Sequence, residues 1–87
     1  MATEILSTAD TGANSADLVV EAGIPVTVAL KDALGRAVSV LILLKDDAGA
    51  YHRVFELGPD VPATVITAPG TYRFTRVAGD ACGVFSA

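Results

Sequence analysis

The chain is poor in the residues that most often carry chemistry. Its 87 residues include one cysteine, one histidine and no tryptophan, and aromatics make up only 6%. Cys82 has no partner for an internal disulfide, and with His52 alone it falls short of a zinc ligand set. A disulfide-stapled scaffold is excluded. Basic residues are scarce as well: six Lys and Arg stand against ten Asp and Glu, for a net charge of −4 and a pI of about 4.6. Such a chain has no electrostatic footprint for a phosphate backbone or an anionic leaflet, so neither nucleic acid nor membrane is an expected partner.

Long apolar runs are missing too. The longest, Val40-Leu41-Ile42-Leu43-Leu44, ends at Lys45, Asp46 and Asp47, far short of the ~20 residues of a spanning helix. The N-terminal residues lack the basic and apolar regions of a secretory signal, so the chain is expected to be made in the cytosol without targeting. A lone, reduced cysteine agrees with that compartment.

What the chain does have is an apolar surplus. Hydrophobic residues are 52% of the total and mean hydropathy is +0.53, although fifteen of those residues are alanine. The length allows one domain. Small domains bury a smaller share of their surface than large ones, so a surplus of this kind is expected to serve a partner surface.

Glycine and proline punctuate the whole chain, from Gly12 through Gly23, Pro25, Gly35, Gly49, Gly58-Pro59, Pro62 and Pro69-Gly70 to Gly79 and Gly83. No segment is left for a long helix. Between these marks lie short runs rich in Val, Ile, Thr, Tyr and Phe, spaced as in an all-β sandwich or barrel. In Pro25–Lys31, Val26, Val28 and Leu30 share one face, and in Thr71–Arg76, Tyr72 and Phe74 do, as period two requires of half-buried strands. Asp17–Glu21 points Leu18 and Val20 inward, Tyr51–Leu57 alternates more weakly, Ala63–Thr67 reads as an edge or corner strand, and Cys82–Phe85 closes the set. Turns are expected at Asp32–Arg36 and Asp46–Gly49, giving two hairpins or one hairpin and a crossover. Pro69-Gly70 suits the centre of a type II turn, followed by Tyr72 in the position of a tyrosine corner.

Two segments depart from this pattern. Val38, Val40, Ile42 and Leu44 occupy one face of their strand, but Leu41 and Leu43 make the other face apolar as well. Strands of that kind are covered on both sides, whereas a two-sheet sandwich covers one. The second cover comes either from this chain or from another subunit. Thr8–Ala16 is small and polar, with no apolar residue larger than Ala, and Ile5 and Leu6 lie upstream of it, which suggests that residues 1–16 are an arm that is flexible or ordered by a partner and anchored by those two residues. The expected architecture is therefore a small antiparallel β-sandwich over 17–87, an Ig-like or jelly-roll-like Greek key, preceded by an extended N-terminal arm over 1–16.

No catalytic arrangement stands out. Cys82 and His52 are a conceivable nucleophile and base, but no activating glycine turn accompanies them. Asp46-Asp47 with Asp32 or Asp60 offers oxygen ligands without the spacing of a calcium loop, and turn aspartates need no metal to explain them. Neither catalytic nor cofactor nor metal residues are assigned, and no enzyme activity is expected.

Four segments together carry a resemblance: Ala22–Lys31, Leu44–His52, Ala68–Phe74 and Cys82–Phe85. They resemble small structural proteins encoded in the virion gene clusters of tailed bacteriophages, over most of the chain from about Ala16 onward. The resemblance implies an architectural role, in which a small β-sandwich decorates or cements a capsid lattice. A place on a tail or fibre, or a host-surface or glycan-binding module, is the alternative. The implied partners are further copies of the chain and a major capsid or other virion protein, and the implied location is the virion, after synthesis in the host cytoplasm. Ile5, Leu6, Leu41 and Leu43 are the expected interface residues.

Overall fold

A computed structural model describes residues 2–87. It contains nine strands: β1 (Thr3–Ala9), β2 (Ala13–Asn14), β3 (Leu18–Val20), β4 (Val26–Lys31), β5 (Val40–Lys45), β6 (Tyr51–Leu57), β7 (Ala63–Ile66), β8 (Gly70–Arg76) and β9 (Cys82–Ser86). No helix forms among the described residues. The strands make two antiparallel sheets. One has the order β1-β9-β4-β7; the other has the order β2-β8-β5-β6, with β3 beside β2 on the same flank of β8.

The inward residues of both sheets form one core. Leu6, Val28, Ile66, Cys82 and Val84 come from the four-stranded sheet, and Val20, Val40, Ile42, Leu57, Tyr72 and Phe74 from the five-stranded one. The alternation in β4 and β8 places these side chains inside, as period two requires. The molecule is 34 × 28 × 20 Å, and its shortest dimension suits two packed layers, since face-to-face sheets lie ~10 Å apart. The result is an all-β, sandwich-like fold.

Turns fix the strand ends. At the β5–β6 hairpin the Asp46 carboxylate accepts hydrogen bonds from the backbone N–H of Ala48 (2.8 Å) and Ala50 (2.9 Å), and Gly49 takes φ +88°. Asp32–Ser39 is the crossover, since β4 and β5 lie in different sheets. The type II turn expected at Pro69-Gly70 does not form. Gly70 has φ +157° rather than the ~+80° of that turn, and it already belongs to β8, opposite Val20. The tyrosine corner does form: Tyr72 is buried and its hydroxyl donates to the Ala68 carbonyl at 2.8 Å.

Residues 3–9 and 13–14, expected within a separate arm, are integrated into the sheets. β1 closes the edge of one sheet against β9, and β2 pairs with β8 in the other. Two local features account for this. Gly83 in β9 leaves room for the β1 backbone, because a Cβ there would lie 2.7 Å from the Leu6 carbonyl oxygen and 3.0 Å from the Thr8 nitrogen. Arg76, 4% exposed, sends its guanidinium to the carbonyls of Thr11 (2.6 Å), Ser7 (2.7 Å) and Cys82 (3.0 Å). β1 is anchored by Leu6 in the core and Ile5 against it, and the small, polar stretch that follows is held by hydrogen bonds from the body of the fold.

Candidate assembly surfaces

Leu41 and Leu43 lie on the outer face of β5, in the middle of the five-stranded sheet. Register places Leu41 between Glu56 of β6 and Thr75 of β8, and Leu43 between Arg53 and Arg73. Both leucines are half-buried. Long charged side chains cover apolar neighbours with their stems while keeping their heads in water, so this chain itself supplies part of the cover. A polar group frames the same face: the Arg73 guanidinium lies 3.7 Å from the Tyr51 ring centroid, and the Tyr51 hydroxyl donates to Asp17 at 2.8 Å. Lys45 approaches Asp17 at 3.7 Å. On β1, Leu6 is packed in the core and Ile5 is half-buried against it. The four expected interface residues therefore do not form one patch.

The uncovered apolar side chains lie elsewhere. β6 and β7 are the outer strands on one side of the two sheets, and Val54 (52% exposed), Phe55 (40%) and Val65 (51%) line a cleft of about 210 Å³ there, floored by Ile42, Ile66 and Tyr72. A β-bulge lies at this opening. Ile42 pairs with Phe55 and Leu43 with Arg53, which leaves Val54 as the extra residue, and Val54 and Phe55 both line the cleft. The weak alternation of β6 carried a signal of this, in two adjacent apolar residues among His52, Arg53 and Glu56.

A second region lies where the crossover Asp32–Ser39 and the β6–β7 loop leave the same end of the sandwich. Leu34, at the crossover tip, is 96% exposed. At the same end, Val38 of the crossover joins Pro59 and Val61 in walling a cleft of about 260 Å³ whose rim carries Glu56 and Asp60. Sequence reasoning missed Leu34, although a single large aliphatic residue within Asp32-Ala33-Leu34-Gly35-Arg36 stands out from its turn-forming neighbours.

The titratable side chains do not converge. His52 is exposed beside the β5–β6 turn, with Nε2 2.7 Å from Asp46 Oδ2. That hydrogen bond, with the backbone bond from Ala50, holds the Asp46 carboxyl below its usual range. Cys82 is buried in the core beside Arg76; burial pushes its thiol up, and the Arg76 charge opposes that shift. His52 and Cys82 are thus in separate environments. Asp32, Asp46, Asp47 and Asp60 are divided between loops, and no group of three metal-ligating side chains occurs among the described residues.

Comparison of the chain with models of protein families, with curated proteins and with solved structures finds no match.

Proposed function

We propose that this chain is a structural virion protein, an Ig-like or jelly-roll-like Greek-key sandwich that decorates or cements the capsid of a tailed bacteriophage. It acts as a homo-oligomer alongside a major capsid or other virion protein. The observation that carries this reading is the placement of the apolar surplus: Leu34, Val54, Phe55, Val61 and Val65 stay exposed although the core between the sheets is filled. Val19, Ile24 and Val77 are exposed as well, but the clusters at the β6–β7 edge and at the Leu34 end are the ones that suit contacts with other proteins. The resemblance to phage structural proteins gives these contacts a setting.

A glycan-binding role is less well supported by the aromatics. Sugar-binding platforms stack on free ring faces, but Arg73 lies over Tyr51 and Tyr72 is buried, which leaves Phe55 as a single exposed ring without an aromatic companion in its cleft other than the buried Tyr72. A tail or fibre location fits the same surfaces as a capsid does. The test is co-sedimentation of the purified chain with shells assembled from the major capsid protein encoded in the same gene cluster. Saturable binding at a fixed ratio to the shell protein is expected. Absence of binding to shells, with binding to tail components or to a glycan array, would replace this reading by one of the others.

A further inference from the structure

Leu34 is exposed on a loop that is fastened on both sides of it. At one side of the crossover the Thr8 hydroxyl donates to Asp32 Oδ2 (2.6 Å), and at the other the Ala37 N–H donates to Asp80 Oδ2 (2.9 Å). Ala33 packs against the core, and Gly35 lies so close to Asp80 that no side chain fits there. Between these fixed points Leu34 projects into solvent. The neighbouring cleft is equally well defined, since Gly58 and Val61 exchange two backbone hydrogen bonds (3.1 and 3.2 Å) across its wall. Contacts made by pre-ordered groups lose little freedom on association.

Charge selects the occupant. Arg36, two residues beyond Leu34, is exposed and is the one Lys or Arg among the described residues that makes no ion pair or side-chain hydrogen bond. Asp60, on the cleft rim, is likewise exposed and without an ion pair, whereas Glu56 is engaged by Ser39 and Arg53. Other acids lie on or against the crossover, Asp32 within it, Asp80 bonded to Ala37 and Asp10 bonded to Gly79, which abuts Ala37, so a like-charged approach is unfavourable unless each Arg36 faces a carboxylate. Knob and cleft share one end, and Val38 belongs to both the knob's loop and the cleft wall. Two copies meeting end to end about a two-fold axis satisfy both sets at once.

We propose that this end is a self-association surface, in which Leu34 of each copy enters the Val38–Pro59–Val61 cleft of the other and Arg36 faces its Asp60. The contact rests on the homo-oligomer of the proposed function and gives it a geometry. Sedimentation velocity tests it on the full chain and on Leu34→Ser, Arg36→Asp, Asp60→Arg, the double variant R36D/D60R and the pair L41S/L43S. The wild type is expected at twice the 8.9 kDa chain mass. Each charge reversal should weaken association about tenfold or more, and Leu34→Ser about a hundredfold because two knobs are lost. The double variant should restore it, and L41S/L43S should retain it. All the altered loop side chains are exposed, and circular dichroism is expected to show an unchanged β signal. A wild-type oligomer indifferent to Leu34, Arg36 and Asp60, or a double variant as weak as its parents, overturns this contact and leaves the homo-oligomer standing. Loss of association in L41S/L43S with the fold intact moves the interface to the outer face of β5. A monomeric wild type overturns the contact and the homo-oligomer together.

Discussion

Arg76 is the residue on which the N-terminal part of the fold depends. A buried guanidinium without a carboxylate partner is costly unless its donors are used, and here three backbone carbonyls accept them. Arg76→Ala leaves those acceptors unmatched, each costing roughly 1–3 kcal/mol if water does not replace the donor, so a loss of about 3 kcal/mol in urea unfolding is expected. Lys supplies one ammonium in place of the planar fork and should recover only part of that loss. Asp46 gives a second prediction at this scale. Its native carboxyl lies below the usual value of 3.8, because of the hydrogen bond from His52 first and that from Ala50 second. The unfolded state therefore binds the proton more readily, and the contribution to stability is present above pH 3.8 and lost as pH falls through the lowered native value. In an NMR titration, His52→Ala should raise the Asp46 transition toward 3.8; an unmoved transition would remove His52 as its main cause.

Among the elements, β1 shows how an edge strand is attached by its neighbour's lack of a side chain. Gly83→Ala would put a Cβ within 2.7 Å of the Leu6 carbonyl, and backbone cannot yield there as a flexible side-chain end would. The expected outcome is faster amide hydrogen exchange across Thr3–Ala9, with β4, β5 and β8 still protected. Uniform loss of protection would mean that β1 unfolds only with the whole molecule. β6 illustrates a different device. As an edge strand it is open to pairing with other chains, but the bulge at Val54 interrupts its outward hydrogen-bonding row and Arg53 adds charge. Side-chain docking is favoured there over strand addition.

The strands legible in the sequence were those whose inward faces follow period two, such as Val26, Val28 and Leu30 in β4 or Tyr72 and Phe74 in β8. The corner at Tyr72 was legible from its spacing after Pro69-Gly70, although Gly70 serves the close approach of Leu44, whose Cδ1 would lie 2.9 Å from an added Cβ. β1 and β2 were not legible, because what holds them is distant: Arg76 and Gly83 lie more than sixty residues away. The bulge at Val54 also leaves no local mark beyond a weak alternation. The sequence leaves the cover of Leu41 and Leu43 open between this chain and another subunit because a one-dimensional pattern does not show cross-strand neighbours, and Arg53 and Arg73 become adjacent to Leu43 only in the sheet.

At the scale of the whole molecule, the apolar surplus divides into three parts. One lies between the sheets, one is half-covered on the outer face of β5, and one is exposed, partly at the β6–β7 edge and the end carrying Leu34 and partly as the separate residues Val19, Ile24 and Val77. The exposed part is where a small sandwich-like fold has apolar surface to share, and the proposed assembly rests on it. Full burial of a Leu or Phe is worth about 1.5–3 kcal/mol, so a few such residues decide whether copies associate. The most direct measurement is the mass of the wild-type chain by sedimentation equilibrium over a wide concentration range. The account predicts a reversible oligomer that dissociates toward 8.9 kDa on dilution. A single 8.9 kDa species at every concentration would contradict it.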